Sequence, residues 1–182
     1  GELIMEEYDK LLTNKTRVVA VNHVSNALGT INPVNEITRK AHAVGAKVLI
    51  DGAQSTPHMK VDVQDIDCDF YTFSGHKMYA PSGIGGMFGK MEVMETMSPY
   101  VTGGDMIMQV TLEKTTYAKP PARFEAGTPP ISQVIGLGAA IDYLNAIGMD
   151  KIFEYEKSLL DYGTQLLNDI EGVRIIGNAK EK

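Results

Sequence analysis

The alternation of apolar strand-like runs with a helical repeat, early in the chain, constrains the fold most. Residues 17–22 form a near-continuous apolar run rich in β-branched side chains, which is typical of a strand buried on both faces of a parallel sheet. Helical spacing follows over residues 34–44 and ends at Gly45, and a second apolar strand is predicted at residues 47–50. This strand, helix and strand order predicts a parallel α/β sheet.

Periodicity predicts two further strands and two closing helices, at residues 70–73, 84–88, 131–147 and 150–170. Ser132 is a candidate cap for the first of these helices, and Gly148 is its predicted stop. Residues 98–130 contain several Gly and Pro pairs and no sustained period, which predicts a long functional loop. We therefore predict an α/β fold with three layers, α/β/α, around a mostly parallel sheet.

Composition excludes several classes of function. The 17 basic residues are scattered among 23 acidic ones and the net charge is −6, which argues against a nucleic-acid partner. No apolar run approaches the roughly 20 residues that cross a bilayer, so no membrane association is expected. One cysteine excludes an internal disulfide and fits a reducing cytoplasm, and no two histidines have metal-ligand spacing, so no metal is predicted. A small-molecule substrate fits better.

Lys77 follows the predicted strand at residues 70–73 in a short polar turn, a position that favours covalent chemistry. A lysine held there can lose its proton and form a Schiff base with an aldehyde cofactor. Asp51 ends the strand at residues 47–50, at the edge where open α/β sheets place ligands, and supplies the carboxylate that a pyridine nitrogen requires. The pair points to pyridoxal 5'-phosphate, although Asp51 alone, before Gly52, is equally typical of a turn.

Four polar residues near the predicted strand ends are further candidates. Ser74 and His76 flank Gly75 and are placed to bind a phosphate together with loop N–H groups. Gln54 is placed to donate to the phenolic oxygen of the cofactor, and Asn26 to bind cofactor or substrate oxygens. Without this context, such residues are more often part of ordinary turns or loop surfaces.

The other histidines and the cysteine are assigned structural roles. His23 and His58 are assigned to loops, and His42 to a helix surface. Cys68 lies at the beginning of the strand that leads to Lys77, where burial is favoured over a reactive thiol.

Four ordered motifs give the chain a strong resemblance to the Suf-type (group II) cysteine desulfurases among the class V aminotransferases, which have pyridoxal-phosphate fold type I. The motifs are HVSNALG at 23–29, VLIDGAQ at 48–54, DCDFYTFSGHK at 67–77 and RFEAGTP at 123–129. The resemblance covers essentially the whole chain. It implies that residues 1–182 are a partial pyridoxal-phosphate-binding large domain, with an N-terminal segment and a C-terminal small domain absent.

The resemblance also implies roles for the candidate residues. Lys77 would form the Schiff base with the cofactor, Asp51 would pair with its pyridinium nitrogen, and Gln54 would contact its ring oxygen. Ser74 and His76 would bind its phosphate.

Further implications concern substrate and partners. Asn26 would lie beside the substrate carboxylate, and in a homodimer Thr128 would reach the phosphate of the neighbouring subunit. The full-length protein is expected to convert L-cysteine to L-alanine and to pass the sulfur to an enzyme cysteine for iron–sulfur cluster assembly with a Suf-type acceptor protein. Cys68 does not occupy the position of that cysteine, so this chain alone is expected to be inactive. The alternatives are a selenocysteine lyase, a cysteine sulfinate desulfinase or another class V enzyme, and a non-catalytic dimerisation or scaffold module.

Overall fold

The computed structural model describes residues 1–182, which contain six α-helices, six strands and two short 3-10 helices. The helices are α1 (Met5–Leu11), α2 (Val34–Ala43), α3 (Val63–Ile66), α4 (Met91–Met94), α5 (Ile131–Ile147) and α6 (Met149–Asn168). The strands are β1 (Val18–Asn22), β2 (Lys47–Asp51), β3 (Phe70–Ser74), β4 (Gly85–Gly89), β5 (Ile107–Val110) and β6 (Thr115–Tyr117). The 3-10 helices are Gly75–Met78 and Ala122–Phe124.

The central sheet has the strand order β1-β2-β3-β4. Strands β1, β2 and β3 are parallel, and β4 runs antiparallel to β3. The antiparallel return follows from the connection, because residues 75–84 are fewer than the dozen or so that a parallel crossover needs. The predicted α/β class with a mostly parallel sheet is confirmed.

One face of the sheet forms the hydrophobic core. Val48 and Ile50 of β2 and Tyr71 of β3 pack in one buried cluster with Val34 and Ala41 of α2. Because side chains alternate along a strand, these three strand residues lie on the same face. This packing fixes β2 and β3 side by side, so that their carboxyl-terminal ends meet.

The other face of the sheet is more open than the sequence indicates. Val18 of β1 is 61% exposed, and Ala20, two residues on, is exposed as well. Val19 and Val21 are partly buried against the core cluster. The prediction that β1 is buried on both faces is therefore wrong, because β1 is an edge strand with a helix on one face only.

The remaining predicted elements are correct except in two places. Helices α5 and α6 lie where periodicity puts them, and Gly148 ends α5 with a φ of 96°. Ser132 is not a cap, because it lies inside the first turn of α5 and the N-cap is Pro130. The region predicted as one long loop contains the antiparallel hairpin of β5 and β6, whose strands are too short to show a period. None of the helices combines the length and low polarity that a bilayer crossing requires.

A buried carboxylate ties the start of β3 to its neighbours. Asp69 is 1% exposed and accepts hydrogen bonds from His42 Nε2 at 2.8 Å, Lys47 Nζ at 3.0 Å and the Val48 N–H at 2.8 Å. Burial by itself raises the pKa of Asp69, but these three donors outweigh that effect and hold the pKa below its usual value. Asp69 is therefore ionised in the folded protein at neutral pH.

We predict that Asp69→Asn lowers the free energy of unfolding at pH 7 by about 2 to 3 kcal/mol, because the buried Val48 N–H and the partly exposed His42 and Lys47 lose a charged acceptor. The native pKa is depressed, so this contribution is present above the unfolded pKa near 3.9 and is lost as the pH falls through the lower native value. Urea unfolding at several pH values measures it. The control Glu7→Gln removes an exposed ion pair with Lys10 and should cost less than about 0.5 kcal/mol. A loss from Asp69→Asn that is as large below the native pKa as at neutral pH would contradict the prediction.

Candidate active site

The carboxyl-terminal ends of β1, β2 and β3 meet at one edge of the sheet, where several predicted site residues lie. Asn22, Asp51 and Thr72 are direct neighbours across the three strands. Gln54 follows in the turn after β2, and Asn26 in the turn after β1. The parallel pairing thus fixes Asp51 between Asn22 and Thr72, and the predicted residues Gln54 and Asn26 lie in the turns that leave this edge.

Strand β3 delivers the other predicted residues to the same edge. Ser74 is its last residue, and His76 and Lys77 lie in the 3-10 helix that follows directly. This tight turn depends on Gly75, whose N–H donates to the Ile84 carbonyl at 2.9 Å. An added Cβ on Gly75 would lie 2.7 Å from the Ile84 side chain and 2.8 Å from its carbonyl oxygen. The close approach of the two backbones therefore requires glycine at position 75.

Ser74 and His76 form a hydrogen-bonded pair at the end of β3. The Ser74 Oγ and His76 Nδ1 are 2.9 Å apart. When the hydroxyl donates to Nδ1, the other ring nitrogen carries a proton that is free to donate. His76 is exposed and Ser74 half-buried, so both remain accessible to an anion at this edge.

Lys77 and Asp51 carry opposite charges on neighbouring strand ends without being paired to each other. Lys77 is half-buried, and its Nζ makes no hydrogen bond or ion pair with another residue. Asp51 is exposed; its Oδ1 accepts the Ala53 N–H at 2.9 Å, and no cation of the protein contacts it. The adjacent strand ends thus present an unpaired lysine, an unpaired carboxylate and a Ser–His pair. These are the kinds of group that bind pyridoxal phosphate.

Thr128 does not join this group within one chain. It is exposed and lines a separate groove with Ile84, Asp105 and Pro129, and none of the other six predicted residues lines that groove. The preceding Gly127 has a φ of 82°, which turns the segment sharply before α5. A role for Thr128 at the phosphate therefore stays a prediction that requires a second subunit.

A buried polar group beneath this edge was not predicted from the sequence. His23 is only 6% exposed, and its Nδ1 lies 2.8 Å from the Tyr71 hydroxyl. Ser55 Oγ contacts the same hydroxyl. The alternation of side chains along β3 could have indicated it. That alternation places Tyr71 on the core face, where a buried phenol needs a hydrogen-bond partner.

Cys68 is fully buried at 0% exposure, as predicted. Burial raises the pKa of its thiol to about 11, so almost no thiolate is present at neutral pH.

We predict that a disulfide reagent at pH 8 labels native Cys68 at least about 100 times more slowly than the urea-unfolded chain. Labelling at equal rates would contradict the assignment of Cys68 to the core.

A mostly parallel α/β sheet that carries polar groups at its carboxyl edge is the architecture of the pyridoxal-phosphate-dependent enzymes of fold type I. The chain matches the family model for the aminotransferase class-V domain over residues 1–182 and belongs to that family. A cysteine desulfurase from Dickeya dadantii is 54% identical over 97% of this chain, which covers 43% of that protein. The chain spans less than half the length of the curated relatives it matches.

Solved structures show the same fold. The apo structure of a cysteine desulfurase from Thermococcus onnurineus NA1 has a TM-score of 0.93 and 39% identity, and the match covers 99% of this chain and 45% of that chain. A structure of C-DES with glycine covalently linked to its pyridoxal phosphate cofactor has a TM-score of 0.87 and 24% identity, over 100% of this chain and 49% of that chain. At that identity the second likeness shows the fold alone.

Proposed function

We propose that this chain is the cofactor-binding core of a Suf-type (group II) cysteine desulfurase that uses pyridoxal 5'-phosphate. One observation carries the proposal: Lys77, whose amine has no protein acceptor, follows the end of β3, and the unpaired Asp51 carboxylate lies at the end of the neighbouring strand β2. Relatives named cysteine desulfurase support the desulfurase part of the proposal. Because the chain spans less than half their length, the activity is proposed for the full-length protein.

Helix α5 supports the proposal that residues 1–182 are part of a larger domain. Its sequence is apolar around the whole circumference, the pattern of a helix buried on all sides. Only Ala140 and Leu144 are buried, whereas Ile131 and Ile135 are 60% and 70% exposed. We therefore place further polypeptide of the full-length protein, an N-terminal segment and a C-terminal small domain, around this partial large domain.

Four residues at the carboxyl edge would each contact a different part of the cofactor or share its phosphate. The protonated ring nitrogen of His76 would donate to its phosphate, and the Ser74 hydroxyl, which has one proton, would turn from His76 Nδ1 to donate there as well. The Gln54 amide would donate to its phenolic oxygen. The Asp51 carboxylate keeps a proton on the ring nitrogen, because a negative charge close to that nitrogen favours its protonated form. Bound in this way, pyridoxal phosphate supplies an aldehyde carbon for an amine and a ring that withdraws electrons from the substrate α-carbon.

Lys77 and Asn26 act on the substrate. The Asn26 amide donates to the carboxylate of L-cysteine and thereby orients its α-carbon toward the Lys77 Nζ. Lys77, once its amine is free, takes the α-proton and later returns a proton to the product. Half-burial of Lys77 keeps the amine less exposed to competing water.

The sulfur transfer needs a thiolate that this chain does not provide. Cys68 is fully buried and its pKa is raised to about 11, so it neither reaches the substrate sulfur nor carries the required charge. We propose that a cysteine elsewhere in the full-length protein accepts the sulfur and that L-alanine leaves. Residues 1–182 alone are therefore inactive.

The proposed partners follow from the same assignment. Thr128 is exposed in its own groove, as expected if it reaches the phosphate of the second subunit in a homodimer. The persulfide then passes to a Suf-type sulfur-acceptor protein for iron–sulfur cluster assembly. A cytoplasmic location is part of this proposal.

The test is a substrate comparison on the full-length protein loaded with pyridoxal phosphate. Alanine formation is measured from L-cysteine, L-selenocysteine and L-cysteine sulfinate, with residues 1–182 as a matched sample. We expect L-cysteine to be turned over by the full-length protein and no turnover by residues 1–182. Turnover of selenocysteine or of the sulfinate alone would assign the protein to another class V activity. Failure to bind the cofactor would favour a non-catalytic dimerisation or scaffold module.

A further inference from the structure

Three buried polar side chains meet beneath the loop that carries Asp51 and Gln54, and the mechanism above uses none of them. The Tyr71 hydroxyl lies 2.8 Å from His23 Nδ1 and 2.5 Å from Ser55 Oγ. His23, Tyr71 and Ser55 are 6%, 2% and 0% exposed. They come from the end of β1, from β3 and from the turn after β2, so the Tyr71 hydroxyl joins three separate parts of the sheet edge.

The three groups are uncharged at physiological pH. Burial lowers the pKa of His23 to about 4 and raises the pKa of Tyr71 to about 12. They therefore interact through neutral hydrogen bonds. A buried donor or acceptor that loses its partner is costly, so removing the Tyr71 hydroxyl disturbs both His23 and Ser55.

The same residues hold the backbone of the cofactor-side loop. The His23 N–H donates to the Asp51 carbonyl at 2.8 Å, and Ser55 Oγ donates to the Gly52 carbonyl at 3.1 Å. The Tyr71 ring lies against Gly52, where an added Cβ would be 2.0 Å from the ring. The Tyr71 ring thus contacts residues 51–55 from the core side, and the two hydrogen bonds hold the two ends of this segment.

The Tyr71 side chain lies on the opposite face of the sheet from the Asp51 side chain. Tyr71 pairs with Ile50 in the sheet, and adjacent residues alternate between faces, so the Tyr71 side chain lies on the core face and the Asp51 side chain on the other. Any effect of Tyr71 on the cofactor must therefore pass through the backbone of residues 51–55.

We propose that the Tyr71 hydroxyl, held between His23 and Ser55, is the positioning group that sets the orientation of the Asp51 carboxylate and the Gln54 amide toward the cofactor. The inference rests on the proposed function and adds to it three positioning residues that lie outside the cofactor-binding set. Misplacing a binding group by a small distance weakens its hydrogen bonds steeply, so a change beneath the loop reaches the cofactor.

The first test is Tyr71→Phe in the full-length protein, because it keeps the ring against Gly52 and removes only the hydroxyl. We expect the dissociation constant of pyridoxal phosphate, measured by absorbance titration of the apo protein, to rise about tenfold, which corresponds to about 1.4 kcal/mol. Tyr8→Phe is the matched control. Its hydroxyl donates to the Ile37 carbonyl at 2.9 Å, between α1 and α2, and its loss should leave the dissociation constant unchanged.

A second pair of variants keeps the test decisive if Tyr71→Phe does not fold. His23→Asn retains a hydrogen-bonding group near the position of Nδ1, and His23→Leu does not. We expect the Asn variant to bind the cofactor within about threefold of wild type and the Leu variant to bind about tenfold more weakly.

The outcomes separate positioning from simple stability. If Tyr71→Phe and His23→Leu lower the melting temperature but bind pyridoxal phosphate as tightly as wild type, the network is only structural and the inference is wrong. A wild-type protein that does not bind pyridoxal phosphate contradicts the proposed function itself, and the inference with it.

Discussion

Replacing Lys77 by alanine should lower the turnover of L-cysteine by the full-length protein at least about 1000-fold, because the variant loses both the amine that bonds the cofactor and the group that moves the α-proton. Alanine formation at saturating L-cysteine and pyridoxal phosphate is the measurement.

A matched lysine variant shows whether the effect of Lys77→Ala is local. Lys15 is exposed in the turn before β1, at the start of that strand and not at its carboxyl end. Lys15→Ala should therefore keep nearly full activity. Turnover by Lys77→Ala within about tenfold of wild type would remove Lys77 from the proposed mechanism.

Asp51→Asn should lower turnover about 100-fold or more and leave the covalent attachment of the cofactor intact. The amide has nearly the same shape and can still accept the Ala53 N–H, so the loop after β2 is preserved. A neutral amide does not hold a proton on the ring nitrogen, and the electron withdrawal from the substrate α-carbon is lost. Steady-state turnover and the absorbance spectrum of the bound cofactor, recorded on the same sample, measure the two effects separately.

The control for Asp51→Asn is the same substitution at an exposed carboxylate elsewhere. Asp65, an exposed residue of α3, accepts a hydrogen bond from Asn35 at 2.8 Å, and Asp65→Asn should keep wild-type turnover. Near-normal turnover by Asp51→Asn would refute the role assigned to the Asp51 charge.

The central sheet was predictable because its strands carry local signals. Residues 47–50 are apolar and are followed by Asp51 and Gly52, so both the strand and its end are visible in the sequence. Two features were not visible. The exposure of Val18 depends on what covers the second face of the sheet, and the β5–β6 hairpin has strands too short for a period.

The candidate site was predictable to the extent that it depends on strand ends. Asp51 and Ser74 end their strands and Lys77 follows Ser74 by three residues, so parallel pairing alone brings them to one edge. The contact of His23 with Tyr71 was not predictable, because it joins residues 48 positions apart through side chains on the core face. The proposed role of Thr128 invokes a second subunit, which a single chain does not specify.

The assignment of Lys77 is tested most directly by locating the lysine that bonds the cofactor. The full-length protein is loaded with pyridoxal phosphate, reduced with sodium borohydride, digested and mapped by mass spectrometry. We expect a pyridoxyl group on Lys77 and none in a Lys77→Ala sample treated in the same way. A pyridoxyl group on any other lysine of the wild-type protein would contradict the assignment.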